Sequence, residues 1–191
     1  MRNIPQGNRT HKVKYIAVFC GSNPGNAWIH ADQAEALGRA MAERGLGLIY
    51  GGTQVGLMGI VANACLASGG AVIGVIPEFL KDKEFAHKGL TELVVVKNLH
   101  ERKRRMNERC DGVIALPGGY GTMDELFEML ARVQLGLFRK PVGVFNINGF
   151  YDPLCQLTKN MVEQGFLKSD HQRILTIERE ITPLLDFIIA G

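Results

Sequence analysis

The sequence has few of the features that mark secreted, membrane-spanning or metal-binding proteins. None of its four cysteines falls in a CxxC pair, and no His/Cys cluster has the spacing of a zinc site. No apolar run reaches the length of a membrane span, and the N-terminus from Met1 to Lys14 lacks the apolar stretch of a secretory signal. We therefore expect a cytoplasmic protein with no membrane partner, and residues 1–14 are predicted to be a disordered lead-in. The cysteines, all expected to be buried free thiols in a reducing compartment, are Cys20, Cys65, Cys110 and Cys155.

A strong charge of one sign is also missing. The net charge is +3, and most basic residues are interleaved with acidic ones, so the composition does not favour a nucleic-acid partner. The length of 191 residues, with 46% apolar and 21% charged residues, is typical of one globular domain with a sizeable core. No repeat or linker divides the chain, which predicts a single domain over residues 15–191.

Short apolar runs of strand type alternate with segments of helical periodicity along the chain. This alternation predicts an α/β fold: a single-domain, Rossmann-like, doubly wound parallel sheet of about seven strands with helices on both faces. The predicted strands are residues 15–20, 47–50, 71–76, 93–96, 113–116, 141–145 and 174–176.

The most informative stretch is residues 113–126, in which an apolar strand breaks at Pro117 and leads into a helical pattern. Three glycines within four residues, Gly118, Gly119 and Gly121, remove the Cβ atoms that would keep a ligand from the backbone. The N–H groups and dipole of the following helix then favour an anion, most often a phosphate. Thr122 is expected to cap this helix, with Glu125 completing a capping box.

The same stretch is also compatible with a simple tight turn before a well-capped helix. Two features favour function: three glycines exceed what a turn needs, and Glu125 lies one turn into the helix, where it could act on a ligand held by the loop.

The common nucleotide and hydrolase motifs are absent. Neither the turn after the first strand nor the central stretch fits GxGxxG, no GxxxxGK[ST] occurs, and no GxSxG elbow supports a serine hydrolase. A Rossmann-like frame with a phosphate loop but no dinucleotide motif points to a mononucleotide or a sugar phosphate.

Four other positions have both a structural and a functional interpretation. Ser22 is either a turn or cap residue or a hydroxyl at the carboxyl end of the first strand, where ligands of open α/β sheets bind. Glu84 and His87, in the irregular segment 78–90, are either solvated or functional. Arg102 lies near the start of a predicted helix, residues 98–109, that leads to the glycine-rich strand, so its guanidinium could reach a phosphate or stack on a ribose or base. Arg104 and Arg105 are predicted to lie on a solvated face of the same helix.

Two motifs together resemble the LOG (lonely guy) family of cytokinin riboside 5′-monophosphate phosphoribohydrolases, whose members have long been mislabelled as lysine decarboxylases. Residues 117–125 read PGGYGTMDE and fit PGGxGTxxE, and residues 99–103 read LHERK and fit MHxRK with Leu99 in place of Met. Residues 19–22 and 50–52 add to the resemblance, which extends from about Tyr15 to Ile189. The sequence departs from the usual plant pattern at Asn23 and at Ala131, and the second departure concerns the fit of a prenylated base.

The resemblance implies hydrolysis of the N-glycosidic bond of a nucleoside 5′-monophosphate to free base and ribose 5-phosphate. It implies a homodimer with sites near the subunit interface, and neither a metal nor an organic cofactor. The family's catalytic pair corresponds to Arg102 and Glu125. The substrate-binding residues implied by the motifs, by the first two strand ends and, for Glu84, by spacing are Ser22, Gly52, Glu84, Arg102, Lys103, Gly118, Gly119, Tyr120, Gly121, Thr122 and Glu125.

Three other functions are considered beside this one. A broader nucleosidase acting on plain AMP would share the motif and differ only in its contacts with the base. A non-catalytic AMP-binding module would not need both Arg102 and Glu125, because a pure binder has no use for a carboxylate beside an anion. A lysine decarboxylase would need a pyridoxal phosphate site, and no lysine here has the context for one.

Overall fold

The computed structural model describes residues 14–81 and 85–191, and its centre is a seven-stranded parallel sheet. The strand order is β4-β3-β2-β1-β5-β6-β7, and all six neighbouring pairs run parallel. The strands are β1 (Tyr15–Phe19), β2 (Gly47–Tyr50), β3 (Val72–Pro77), β4 (Glu92–Val96), β5 (Gly112–Ala115), β6 (Val142–Phe145) and β7 (Leu175–Glu178).

Helices connect successive strands, as a parallel sheet requires. They are α1 (Trp28–Glu43), α2 (Gly56–Ala67), α3 (Glu78–Leu80), α4 (Leu99–Arg109), α5 (Tyr120–Gln134), α6 (Asp152–Glu163), α7 (Ser169–Gln172) and α8 (Ile181–Ala190), with a short 3-10 helix at Ile147–Gly149.

Alternate side chains of each central strand enter two separate cores. In β1, Ile16 and Val18 pack with α1, α2 and α8, whereas Ala17 and Phe19 pack with α4, α5 and α6 on the opposite face. All four of these side chains are almost fully buried, because a strand covered by helices on both faces has no solvent side. The predicted doubly wound α/β fold with helices on both faces is confirmed.

The direction of winding reverses between β1 and β5. The chain adds β2, β3 and β4 on one side of β1 and then returns to place β5 on the other side. At such a reversal the loops after the two strands diverge and leave a crevice at their carboxyl ends, which is where open α/β sheets bind ligands. The turn after β1 and the glycine-rich turn after β5 therefore face the same crevice.

Several smaller expectations need correction. The segment 78–90 is not wholly irregular, because it contains α3 at Glu78–Leu80, and α7 was not predicted at all. All four cysteines are free, but Cys155 is only partly buried. The predicted lead-in lies outside the described residues except for Lys14, whose backbone N–H donates to Asp111 Oδ2 at 2.8 Å.

The described residues contain neither a helix suited to span a membrane nor a cluster suited to bind a metal ion. None of the helices in residues 14–81 and 85–191 is long and apolar enough to cross a membrane. No group of three or more His, Cys, Asp or Glu side chains within the same ranges is arranged to hold a metal ion.

Candidate active site

A cavity of about 630 Å³ occupies the crevice at the carboxyl ends of β2, β1 and β5. Its lining combines the turn after β1, the start of α2, the start of α5 and two residues of the segment that follows β3. The described residues that line it are Cys20, Ser22, Asn23, Thr53, Val55, Met58, Leu80, Phe85, Arg102, Gly119, Tyr120, Gly121, Thr122 and Glu125.

The glycine-rich turn leads directly into α5, and the expected capping box does not form. The helix begins at Tyr120 with Gly119 as its N-cap, and no side chain caps it. Thr122 is therefore the third residue of the helix; it is only 4% exposed and packs over Gly118, where an added Cβ would collide with the Thr122 side chain. Because no side chain caps the first turn, its N–H groups are left for a ligand in the cavity.

Gly118 packs against Gly21 and Thr122 and does not line the cavity. The backbone N–H of Gly21 donates to the Pro117 carbonyl at 3.0 Å, and a Cβ on Gly118 would lie 2.9 Å from the Gly21 nitrogen. The turns after β1 and β5 are thus in direct contact, and only glycine fits where they meet. Around Gly119 and Gly121, in contrast, an added Cβ would meet no described atom within 4 Å, so both face open space in the cavity.

Glu125 is one turn into α5, and burial of its carboxyl group in the cavity wall raises its pKa. The positive charge of Arg102 acts in the opposite direction and lowers it. Smaller effects come from Asp124 and Glu128, which raise the pKa, and from Lys103, which lowers it. The result is a carboxyl group with a pKa above its ordinary value, which suits a proton acceptor that works near neutral pH.

Arg102 lines the cavity beside the backbone that follows β2. A Cβ on Gly51 would collide with its guanidinium, so the absence of a side chain there creates the space that Arg102 fills. Its Nη2 is 3.9 Å from Met58 Sδ, and its buried Nε has no hydrogen-bond partner among the described residues. A buried donor without a partner is costly, which favours a ligand that supplies an acceptor.

The structure brings together most of the predicted site residues. Ser22 lies in the cavity wall, and it is not the cap of α1, which begins only at Trp28. Tyr120 is 97% exposed at the cavity wall. The predicted residues that the structure assembles around the cavity are Ser22, Arg102, Gly119, Tyr120, Gly121, Thr122 and Glu125.

Besides Gly118, three predicted substrate-binding residues are placed elsewhere or not described. Lys103 is not among the lining residues; its Nζ forms ion pairs with Asp124 Oδ2 at 2.9 Å and Glu128 Oε2 at 2.7 Å. Gly52 is buried against β3, where an added Cβ would approach Ile76 at 3.1 Å, and it also lies outside the lining. Glu84 falls outside the described residues.

Two further positions bear on the sequence interpretation. His87 lies outside the lining, and its Nε2 is 2.8 Å from Asn63 Oδ1. Ala131, the departure that was expected to bear on the fit of a base, is exposed and is not among the described lining residues.

Several residues that line the cavity were not predicted. Thr53, Val55 and Met58 follow β2, and the rule that parallel strands end at one edge of the sheet could have indicated them, because β2 neighbours β1. Leu80 and Phe85 reach the cavity from the segment after β3, and no periodicity in that charged stretch signals this contact.

Comparison with known proteins decides the family. A family model described as "Possible lysine decarboxylase" matches residues 58–187. A cytokinin riboside 5′-monophosphate phosphoribohydrolase of Rhodococcoides fascians is 50% identical over 155 residues, which is 81% of this chain and 78% of the relative. The enzyme LOG2 of Arabidopsis thaliana is 40% identical over 177 residues, 93% of this chain and 83% of the relative. The chain belongs to the LOG family.

A rice relative and a solved structure extend the comparison. The probable phosphoribohydrolase LOGL1 of Oryza sativa subsp. japonica is 47% identical over 160 residues, 84% of this chain and 72% of the relative. A molybdenum cofactor binding protein from Rippkaea orientalis superimposes with a TM-score of 0.71, covering 95% of this chain and 98% of that one, at 22% identity. This structural likeness supports the fold and carries no functional argument.

Proposed function

We propose that this LOG family protein hydrolyses the N-glycosidic bond of adenosine 5′-monophosphates, including N6-substituted ones, and releases the free base and ribose 5-phosphate. The observation that carries the proposal is one cavity in which an uncapped helix start, a carboxyl group with a raised pKa and a guanidinium with an unpartnered Nε meet. The relatives are named for the same reaction class.

The start of α5 binds the 5′-phosphate. The backbone N–H groups of its first turn point along the helix axis, and the helix dipole adds a partial positive charge there. The absence of side chains at Gly119 and Gly121 allows the phosphate to approach the backbone closely. This contact explains why the substrate is a monophosphate and places the ribose over Glu125, which lies on the same helix.

Glu125 acts on the anomeric carbon. In hydrolysis the C1′–N bond breaks with its electron pair leaving on the base, a water oxygen bonds to C1′, and one water proton is taken by the carboxylate while the base gains a proton. The positive charge that develops on the ribose is stabilised by the ionised carboxylate. Because burial raises the pKa of Glu125, its carboxylate is a stronger base than a solvated one.

Arg102 is assigned to substrate oxygens and to Glu125 rather than to the anomeric carbon. A cation beside a cationic transition state would raise its energy. The Arg102 charge lowers the pKa of Glu125 and so favours the ionised form that the reaction needs.

The lysine decarboxylase activity in the family model's description does not fit this cavity. Pyridoxal phosphate enzymes hold their cofactor through a lysine Schiff base. None of the described lining residues is a lysine, and the nearby Lys103 is paired with Asp124 and Glu128.

The test is to incubate the purified protein with AMP and, separately, with isopentenyladenosine 5′-monophosphate, and to measure the free base by chromatography. Adenosine and isopentenyladenosine serve as the phosphate-free controls. Release from the monophosphates alone is expected, and the ratio of the two rates separates cytokinin activation from general AMP hydrolysis. Binding of AMP without release of base would support a non-catalytic AMP-binding module and contradict the proposal.

Two properties accompany the proposed function. The protein acts as a homodimer, and the exposed apolar side chains of Phe127, Ala131 and Leu135 along α5 and its C-cap support this. It works in the cytoplasm, in keeping with four free thiols.

A further inference from the structure

One wall of the cavity combines apolar side chains with a buried hydroxyl, and it borders the Arg102 guanidinium. Val55, Met58, Leu80 and Phe85 supply this wall at the end that lies beyond β2, away from the glycine turn. Thr53 lies among them and is only 5% exposed. A buried hydroxyl in an apolar wall needs a hydrogen-bond partner, and it orients a ligand when the ligand supplies that partner.

The Thr53 hydroxyl has only a weak partner in the described part of the chain. Its Oγ1 lies 3.7 Å from Met58 Sδ, and a thioether sulfur is a poor acceptor. The same sulfur is 3.9 Å from Arg102 Nη2, so two donors of the cavity share one weak acceptor. A ligand that offers the Thr53 hydroxyl a nitrogen or oxygen acceptor in place of the Met58 sulfur would therefore be bound favourably.

The backbone holds Thr53 in position. Thr53 forms an antiparallel bridge with Ala86, the Gln54 N–H donates to the Phe85 carbonyl at 2.9 Å, and the His87 N–H donates to the Gly52 carbonyl at 3.0 Å. A hydroxyl fixed in this way binds a ligand without a large loss of conformational entropy.

The order of the strands indicates which part of a nucleotide faces Thr53. The phosphate-binding turn follows β5, whereas Thr53 follows β2, and β1 lies between them. Two inter-strand spacings are about 10 Å, which is the order of the distance from phosphate to base in an extended nucleoside monophosphate. With the phosphate at α5 and the ribose over Glu125, the base lies against the wall that contains Thr53.

We infer that Thr53 is a specificity-determining residue whose hydroxyl donates a hydrogen bond to a ring nitrogen of the purine. The apolar residues around it contact the faces and edges of the base, and the hydroxyl selects a base that presents an acceptor at this position. This inference rests on the proposed function, because it uses the orientation of a bound nucleoside monophosphate.

The test compares Thr53→Val, which removes the hydroxyl at nearly constant shape, with Thr53→Ser, which retains it. Thr158→Val is the matched control: Thr158 is a buried threonine on α6, outside the cavity lining, whose Oγ1 donates to the Cys155 carbonyl at 3.0 Å. Each variant is assayed with AMP and with its 1-deaza, 3-deaza and 7-deaza analogues, in which a CH group replaces one ring nitrogen. Thr53→Ala, whose smaller side chain cannot clash, replaces the valine variant if that variant does not fold.

On AMP, Thr53→Val is expected to lose about three- to tenfold in kcat/KM, the usual effect of one neutral hydrogen bond. Thr53→Ser and Thr158→Val should stay close to the wild type. On one of the three analogues the wild type and Thr53→Val should become equal, because the acceptor is missing for both. On the other two analogues the difference should persist.

Two results would overturn the inference. One is equal activity of Thr53→Val and the wild type on AMP. The other is a loss that is the same on AMP and on all three analogues, which would assign the hydroxyl to the ribose or to the fold. If the wild type releases no base from any nucleotide, the proposed function fails separately, and calorimetric Kd values of AMP for the wild type and Thr53→Val still decide the role of Thr53.

Discussion

Burial of Glu125 has opposite consequences for activity and for stability. The pKa of this carboxyl is raised in the folded protein, chiefly by burial. Between its ordinary pKa and the raised one, the folded state binds more protons than the unfolded state, so stability falls as pH rises through that window. At pH values above this window the buried carboxylate is ionised and lowers the free energy of unfolding. The proposed catalysis nevertheless requires the ionised form.

Glu125→Gln is therefore expected to reduce kcat by about a hundredfold or more, the usual scale for a general acid–base group, while raising Tm at pH 7. The gain in Tm should shrink as the pH falls toward 4, where the carboxyl is mostly protonated in both states of the wild type. Assays of base release measure the change in kcat, and thermal unfolding at pH 7 and pH 4 measures the change in Tm. A variant with lower Tm than the wild type at pH 7 would contradict the electrostatic account, and near-normal turnover would contradict the catalytic one.

Lys103 is expected to act through Glu125 rather than on the substrate. Lys103→Met removes a charge that lowers the pKa of Glu125 and leaves Asp124 and Glu128, which raise it. The acid limb of the kcat/KM profile should consequently move to higher pH, with kcat on the plateau little changed. The matched control is Lys159→Met, at an exposed lysine of α6 outside the cavity lining. An unshifted limb combined with a large rise in KM would instead assign Lys103 to substrate binding.

At the residue scale, sequence motifs predicted that the two proposed catalytic residues would share one site, but they did not predict the surroundings. Arg102 and Glu125 come from motifs with fixed spacing, and both line the cavity. Thr122 was expected to cap α5, but the helix begins at Tyr120, two residues before Thr122. The Thr122 side chain is therefore buried over Gly118 instead. Lys103 is adjacent to Arg102 in the sequence and still points to other partners, because neighbouring residues on a helix face different directions.

At the element scale, the start of α5 combines helix stability with ligand access. Gly121 is the second residue of the helix, and a Cβ there would meet no described atom within 4 Å. Glycine costs a helix about 0.5–1 kcal/mol relative to alanine. An alanine at this position would remove that cost but place a methyl group in the space assigned to the phosphate.

Gly121→Ala is thus expected to raise the free energy of unfolding by up to about 1 kcal/mol. It should also lower kcat/KM for AMP by about tenfold or more, since small displacements at a binding site have large effects on rate. Denaturant unfolding and initial rates test both effects. Asn160→Ala, an exposed change within α6, is the control that should stabilise the protein without loss of activity. Unchanged activity in Gly121→Ala would exclude this turn as the phosphate site.

The alternation of elements was predictable because the five inner strands, β3, β2, β1, β5 and β6, are short apolar runs buried on both faces, and each long helix has one apolar stripe. The short elements were not. The three residues of α3 and the four of α7 contain too few positions to show a period. The contacts of Leu80 and Phe85 with the cavity depend on how the chain returns from β3, which local sequence does not encode.

At the scale of the whole molecule, an apolar stripe on α5 is uncovered. Phe127 and Ala131 on α5 and Leu135, the C-cap residue of that helix, follow one another at four-residue intervals along one side, and all three are exposed, Leu135 to 70%. Exposed apolar stripes of this kind mark interaction sites in soluble proteins. Because α5 also supplies Glu125 and the first-turn N–H groups, a second copy packed on this stripe would fix the helix that forms the catalytic cavity.

The wild type is expected to sediment with twice the 21.0 kDa mass of one chain. Leu135→Asp should shift it toward the monomer, since burying a carboxylate at an interface is costly. Its kcat/KM should fall together with the dimer fraction and recover at higher protein concentration, because a weakened dimer reassembles by mass action. Phe166→Asp changes another strongly exposed side chain, 88% accessible and outside α5, and should leave both mass and activity unchanged. A monomeric wild type with full activity would show that the stripe is not a subunit interface and that one chain forms the complete site.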